Sequence, residues 1–103
     1  MVIKREEILL ALQSSLLGEI YSGIRAIVFK YNPDNRQFTL RYYLEKEPDE
    51  DDYENIGIVV AEFLSNFKFS EFDKVDEECV YSKLSLSELE ILDGMVYCRN
   101  EYC

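Results

Sequence analysis

The feature that most constrains this chain is an abrupt change from acidic to apolar residues near its middle. Residues Glu45–Glu54 contain seven acids and one base, in a chain of 103 residues whose net charge is −10. The run that follows, Ile56–Leu64, is the most apolar in the sequence. Charged side chains stay in solvent unless they are paired, whereas an apolar run of this length needs a core. The junction therefore marks an element with one face in solvent and one face in the core.

Local signals at this junction indicate that the element is a helix. Pro48 disfavours a helical conformation for Glu47, and Asp49 is a good N-cap residue. Asp52 lies where a capping box has its last residue, although Glu or Gln is usual there. Acids in the first turn also suit the positive end of the helix dipole. We predict a helix over about 50–66, with an apolar stripe formed by Tyr53, Ile56, Val60, Phe63, Leu64 and Phe67.

The acidic segment has three interpretations. The acids cap the helix and keep the protein soluble, or they form a docking surface for a basic protein. Seven acids exceed what capping requires. A calcium loop of the EF-hand type is disfavoured, because counting from Asp49 places Glu54 where the loop needs Gly and Val60 where it needs Glu.

The first half of the chain predicts a helix followed by a hairpin. Residues 4–17 carry apolar side chains at steps of three and four, as an amphipathic helix does. Ile24–Tyr31 is rich in β-branched and aromatic residues, and Gln37–Leu44 alternates between apolar and polar residues. Between these strands Pro33 presets a turn, and Asn35 tolerates a left-handed conformation.

The second half predicts two more strands. Val75–Leu84 and Met95–Tyr102 read as strands, while Ser85–Asp93 is either a loop or a single helical turn. We therefore expect one domain, residues 1–103, of the α+β class, with the order α-β-β-α-β-β. Two hairpins would form a four-stranded antiparallel sheet with both helices packed on it. Tyr and charged residues on the outward face of the sheet would be solvated or would form a binding face.

Composition restricts the compartment and the partners. The net charge of −10 argues against nucleic acid and against an anionic membrane surface as partners. The apolar run near the N-terminus is preceded by Glu6 and Glu7, which a signal peptide would not have there. The chain has three cysteines in no zinc-binding pattern, so we expect reduced thiols in a cytoplasmic protein, and the sequence leaves open whether Cys79 and Cys98 are neighbours.

The sequence contains few of the residues and motifs that enzymes commonly use for catalysis. The sequence has no His, no Gly-rich phosphate loop and no Cys with a recognisable base beside it. Carboxylates are abundant in Glu45–Glu54, but nothing in the sequence singles out a pair with an enclosed cleft around it. We therefore expect a binding protein without a cofactor or a metal ion rather than an enzyme.

Several segments together resemble a known family. They are Glu7–Leu10, Leu16–Ile20, Ile24–Ile27, Leu40–Tyr43, Pro48–Glu54, Glu62–Phe63 and Val96–Glu101. In their order and spacing they resemble the immunity proteins of contact-dependent growth inhibition systems, whereas residues 68–94 match only loosely. The resemblance implies a cytoplasmic protein that binds the C-terminal domain of a cognate toxin and blocks its active site. Toxins of these systems are mostly nucleases, often RNases, and a nuclease site is basic because it attracts phosphate.

Under this interpretation the acidic helix start is the binding surface. The expected contacts are Asp49, Glu50, Asp51, Asp52 and Glu54, with Tyr53 or Tyr43 as aromatic anchors. Core packing is the alternative role for each tyrosine, and Tyr53 is the weaker anchor because it falls on the predicted apolar stripe. An acidic regulatory module that binds a basic protein unrelated to toxins is the alternative function. A small-molecule binder is a third, and the oligomeric state stays open.

Overall fold

The structure, a computed structural model, describes residues 3–68 and 71–101 and contains two helices and four strands in the predicted succession along the chain. The elements are α1 (Arg5–Leu16), β1 (Ile24–Asn32), β2 (Gln37–Leu44), α2 (Glu50–Leu64), β3 (Lys74–Tyr81) and β4 (Gly94–Cys98). A short 3-10 turn, Leu86–Glu88, lies between β3 and β4, where the sequence left a loop or a single helical turn open. Tyr102 and Cys103, at the end of the last predicted strand and of the chain, lie outside the described residues.

The predicted hairpin of β1 and β2 is confirmed. The strands are antiparallel, and Ile27 lies opposite Tyr42 and Phe29 opposite Leu40. An irregularity between Ile24 and Ala26 shifts the register near the start of β1. The left-handed residue at the turn is Arg36, with φ of 53°, rather than Asn35 as the sequence indicated.

The prediction of a second hairpin is wrong. The strands lie in the order β3-β2-β1-β4, and β3 pairs with β2 in parallel, so the sheet is mixed. The reason is that α2 returns the chain to the end of the sheet at which β2 begins, and a parallel pair needs such a crossover. β4 pairs antiparallel with β1 at the far edge. Cys79 in β3 and Cys98 in β4 are therefore on opposite edges and are not neighbours.

The main core lies between the helices and one face of the sheet. Phe38, Leu40 and Tyr42 of β2 pack there with Ile56 and Phe63 of α2, and all five side chains are fully buried. The rings of Phe38 and Phe63 stack with centroids 4.4 Å apart. Burial of one such side chain stabilises the fold by roughly 1.5–3 kcal/mol, so this layer fixes α2 on the sheet.

The second face of the sheet is partly covered rather than fully solvated. Residues 82–93 connect β3 at one edge with β4 at the other, and Leu89 in this segment is buried against Val28 and Tyr43. Together with Ala26, these residues form a smaller apolar cluster. No helix in the described part of the chain is long and apolar enough to cross a membrane.

Candidate partner-binding surface

Two aspartates form reciprocal hydrogen bonds at the start of α2. The backbone N–H of Asp52 donates to Oδ1 of Asp49 at 3.1 Å, and the N–H of Asp49 donates to Oδ2 of Asp52 at 2.9 Å. This is a capping box in which Asp replaces the usual Glu or Gln, as the sequence indicated. The bond from the backbone of Asp52, followed by the nearby Lys46 ammonium, lowers the pKa of Asp49.

Asp52 is buried, although the sequence suggested it as a contact residue. Only 4% of it is exposed, and its Oδ1 accepts a hydrogen bond from the Tyr21 hydroxyl at 2.5 Å. Burial, followed by this bond to the Asp52 carboxylate, raises the pKa of Tyr21. Since both carboxylate oxygens of Asp52 are occupied within the chain, this residue holds the start of the helix in place.

A second polar cluster fixes the next turn of α2. The Tyr42 hydroxyl donates to Oδ1 of Asn55 at 2.7 Å, and burial raises the pKa of Tyr42. The Asn55 amide donates to the backbone oxygen of Glu19 at 3.1 Å and to its carboxylate at 3.2 Å. These bonds join the helix to the sheet and to the loop after α1, so the surface outside them is held in one conformation.

Three of the predicted contact residues point into solvent at this end of α2. Glu50, Asp51 and Glu54 are exposed, and within residues 3–68 and 71–101 none of them forms an ion pair. Asp49 does form an ion pair, because the Lys46 ammonium lies 3.8 Å from its carboxylate. The structure therefore brings together three carboxylates whose charge is not balanced by a neighbouring cation.

An ion-pair network that sequence reasoning missed lies beside the acidic segment. Arg99 binds Glu45 and donates to the backbone oxygen of Ser22 at 2.6 Å. Glu101 accepts from Arg25 at 2.8 Å and from Arg99 at 3.0 Å. The bonds from Arg25, followed by its charge and the contact with Arg99, lower the pKa of Glu101. Local patterns could not reveal this network, because Arg25 and Glu101 are 76 residues apart and Arg99 and Glu45 are 54 residues apart.

The two tyrosines suggested as anchors are on different faces of the molecule. Tyr53 is 48% exposed on α2, so its predicted place on the buried stripe is wrong. Tyr43 is only 4% exposed and lies under residues 82–93, where its hydroxyl donates to the backbone oxygen of Glu90 at 2.7 Å and accepts from Arg41 at 3.0 Å. Tyr53 is therefore the one that adjoins the exposed acids.

A polar groove of about 320 Å³ occupies the open part of the second sheet face. At its floor Arg41 pairs with Glu78 at 2.7 Å and with Glu90 at 3.1 Å. Thr39 and Lys30 also line it. The lining contains two bases and three acids, and Arg41 is paired with two of the acids, so the groove has a weaker charge imbalance than the start of α2.

The structure places the two described thiols in different environments, Cys79 buried and Cys98 exposed. Burial, followed by the charges of Asp52 and Glu77, raises the pKa of Cys79 to about 12, so this thiol stays protonated at neutral pH. In the part of the chain that the structure describes, no group of three or more His, Cys, Asp or Glu side chains could hold a metal ion.

Comparison with known protein families gives one finding for nearly the whole chain. A family model described as "MafI2 immunity protein" matches residues 5–101. A comparison with curated proteins gave no match. The match covers both helices, all four strands and the acidic start of α2.

Proposed function

Because the chain belongs to the MafI2 immunity protein family, we propose that it neutralises a cognate toxin in the cytoplasm by covering the toxin's active site. Membership in this family confirms the resemblance to immunity proteins that the sequence indicates. An immunity protein implies a non-catalytic inhibitor. The proposed target is the C-terminal domain of the toxin, a nuclease and in particular an RNase, whose site is basic because it binds phosphate.

The observation that carries this proposal is the set of unbalanced carboxylates at the start of α2. Glu50, Asp51 and Glu54 are exposed, and in the part of the chain that the structure describes none of them forms an ion pair. A surface of this kind attracts a basic partner over roughly 8–10 Å at physiological salt. Electrostatic steering raises association rates by about 10- to 1,000-fold.

The rigidity of the helix start supports the same function. The capping box of Asp49 and Asp52 and the bond from Tyr21 hold the backbone that carries these acids. A surface that is already ordered loses less conformational entropy on binding than a flexible one. Asp49 and Asp52 then act by positioning the exposed acids.

The test is to remove the charge of the exposed acids without changing their shape. The variant Glu50→Gln, Asp51→Asn, Glu54→Gln should fold normally and associate at least about tenfold more slowly with the purified C-terminal domain of the cognate toxin. The difference should shrink as salt is raised, since screening weakens steering. The measurement is the association rate by surface plasmon resonance at low and high salt.

A matched control removes the same number of charges elsewhere. Glu6→Gln, Asp34→Asn and Glu88→Gln alter exposed acids outside the start of α2, and together they should change the association rate by less than about twofold. Equal losses in both variants would show that only the net charge matters. If the wild-type protein does not bind the toxin domain at all, the alternative of an acidic module for another basic protein becomes the better description.

A further inference from the structure

Two large apolar side chains lie on the outward face of α2, next to the exposed acids. Tyr53 is 48% exposed and Ile58 is 47% exposed. The core side of the same helix is formed by fully buried side chains that include Ile56, Val59 and Phe63. With 100° between successive residues, Tyr53 and Ile58 fall on the two flanks of the solvent-facing side. The fold gives neither of them a place in the core.

Gly57 lies between these flanks and has no evident role in the fold. A Cβ atom there would meet only Oε1 of Glu77, at the ordinary contact distance of 3.6 Å. By contrast, a Cβ at Gly94 would lie 2.8 Å from the Phe29 ring, and Gly18 has φ of +78°. Glycine inside a helix is less stable than alanine, so its presence at position 57 leaves a bare backbone that the protein's own packing does not require.

The residues around Gly57 combine apolar and charged side chains in the arrangement that is common in protein interfaces. Ala61 lies one turn further along the same line and is exposed, so the helix carries little side-chain volume between Tyr53 and Ile58. Glu54 is exposed one turn before Gly57, and Glu62 is exposed one turn after Ile58. An apolar centre with a charged rim is how specific interfaces are built, and an aromatic residue commonly serves as an anchor.

We propose that this outward face of α2, formed by Tyr53, Glu54, Gly57, Ile58 and Ala61, is the contact surface for the toxin domain. This inference rests on the proposed function and identifies the part of the protein that performs it. The acidic rim selects a partner surface that is basic around an apolar centre. A side chain or backbone segment of that partner packs on the small residues Gly57 and Ala61, between Tyr53 and Ile58 and next to the Glu77 carboxylate.

The sharpest test uses Gly57, because stability and binding should change in opposite directions. Gly57→Ala should raise the melting temperature, since alanine is the better helix former and the added methyl meets no clash. The same variant should weaken binding of the cognate toxin domain about threefold or more. Gly57→Gln, which adds a long side chain between Tyr53 and Ile58, should weaken binding at least about tenfold and leave the protein folded.

Ile58→Ala tests the apolar contact, with Leu10→Ala as its matched control. Leu10 is 68% exposed on α1, so both variants truncate an exposed aliphatic side chain on a helix. Ile58→Ala should increase the dissociation rate about tenfold, whereas Leu10→Ala should change it by less than about twofold. Melting temperature and both rate constants are measured for every variant.

Each outcome decides the inference. If the wild type binds the toxin domain and the Gly57 and Ile58 variants bind equally well, the inference is overturned while the proposed function stands. If Gly57→Ala lowers the melting temperature, the fold itself requires the glycine and the inference also fails. If the wild type does not bind the toxin domain, the proposed function fails and the inference fails with it.

Discussion

Replacing Asp52 by Ala should show how strongly one buried carboxylate holds the start of α2. The substitution removes the acceptor of the Asp49 N–H and the acceptor of the Tyr21 hydroxyl. Loss of half a capping box costs about 1 kcal/mol. A hydrogen bond to a charged group contributes about 1.5–3 kcal/mol. We therefore expect the free energy of unfolding to fall by about 3 kcal/mol.

In a domain of this size, 1 kcal/mol shifts the melting temperature by roughly 4–8 °C. Asp52→Ala should then lower it by about 12 °C or more. Urea denaturation followed by circular dichroism gives the free energy directly, and the slope should not change if the variant keeps the native fold. Tyr21→Phe and the double variant complete a cycle that isolates the bond between the two side chains, which should couple by about 1–3 kcal/mol.

Asp51→Ala is the matched control, since Asp51 is the preceding residue in the same turn and is exposed. It should change the free energy of unfolding by less than about 0.5 kcal/mol. The reasoning is refuted if Asp52→Ala is no more destabilising than Asp51→Ala, or if the cycle shows no coupling between Asp52 and Tyr21. Either result would mean that solvent replaces the buried bonds without loss.

The remaining predictions concern titration and thiol reactivity. Folding raises the pKa of the Tyr21 hydroxyl above the value of about 10 for an unfolded tyrosine. The stability that the protonated Tyr21 hydroxyl contributes is therefore complete below about pH 10 and is lost at higher pH. Tyr21→Phe should therefore flatten the alkaline decline in the free energy of unfolding, and an unchanged decline would contradict this origin. In a Cys103→Ser background, a thiol reagent at neutral pH should modify the exposed Cys98 quickly and the buried Cys79 only after denaturant is added. Rapid labelling of two thiols in native protein, counted by mass spectrometry, would contradict the burial of Cys79.

Local sequence chemistry determined where most elements begin and end. Pro48, Asp49 and Asp52 mark the start of α2 because caps act within four residues, and the structure has this capping box. The alternation in Gln37–Leu44 and the turn before it likewise predict the hairpin of β1 and β2. These signals need no knowledge of distant contacts.

The environment of individual residues on α2 could be predicted only in part. A helical projection of residues 50–64 places Ile58 on the side away from Ile56 and Phe63, so the exposure of Ile58 could have been predicted from the sequence. The burial of Asp52 could not be predicted from the sequence, because it depends on Tyr21, which contacts α2 from the loop after α1. A polar residue at a helix start looks the same in sequence whether it faces solvent or a partner of the same chain.

The pairing of the strands was decided by tertiary structure alone. The pattern of β3 is compatible with a place beside β2 or beside β4, because alternation records which face is buried and not which neighbour supplies the hydrogen bonds. Packing of α2 on the sheet brings β3 parallel to β2, and residues 82–93 then cross the second face to place β4 at the opposite edge. The sequence by itself thus determined the elements, the charge and the family resemblance. The tertiary fold decided which acids stay exposed, since only long-range contacts neutralise Glu45 and bury Asp52 while leaving Glu50, Asp51 and Glu54 in solvent.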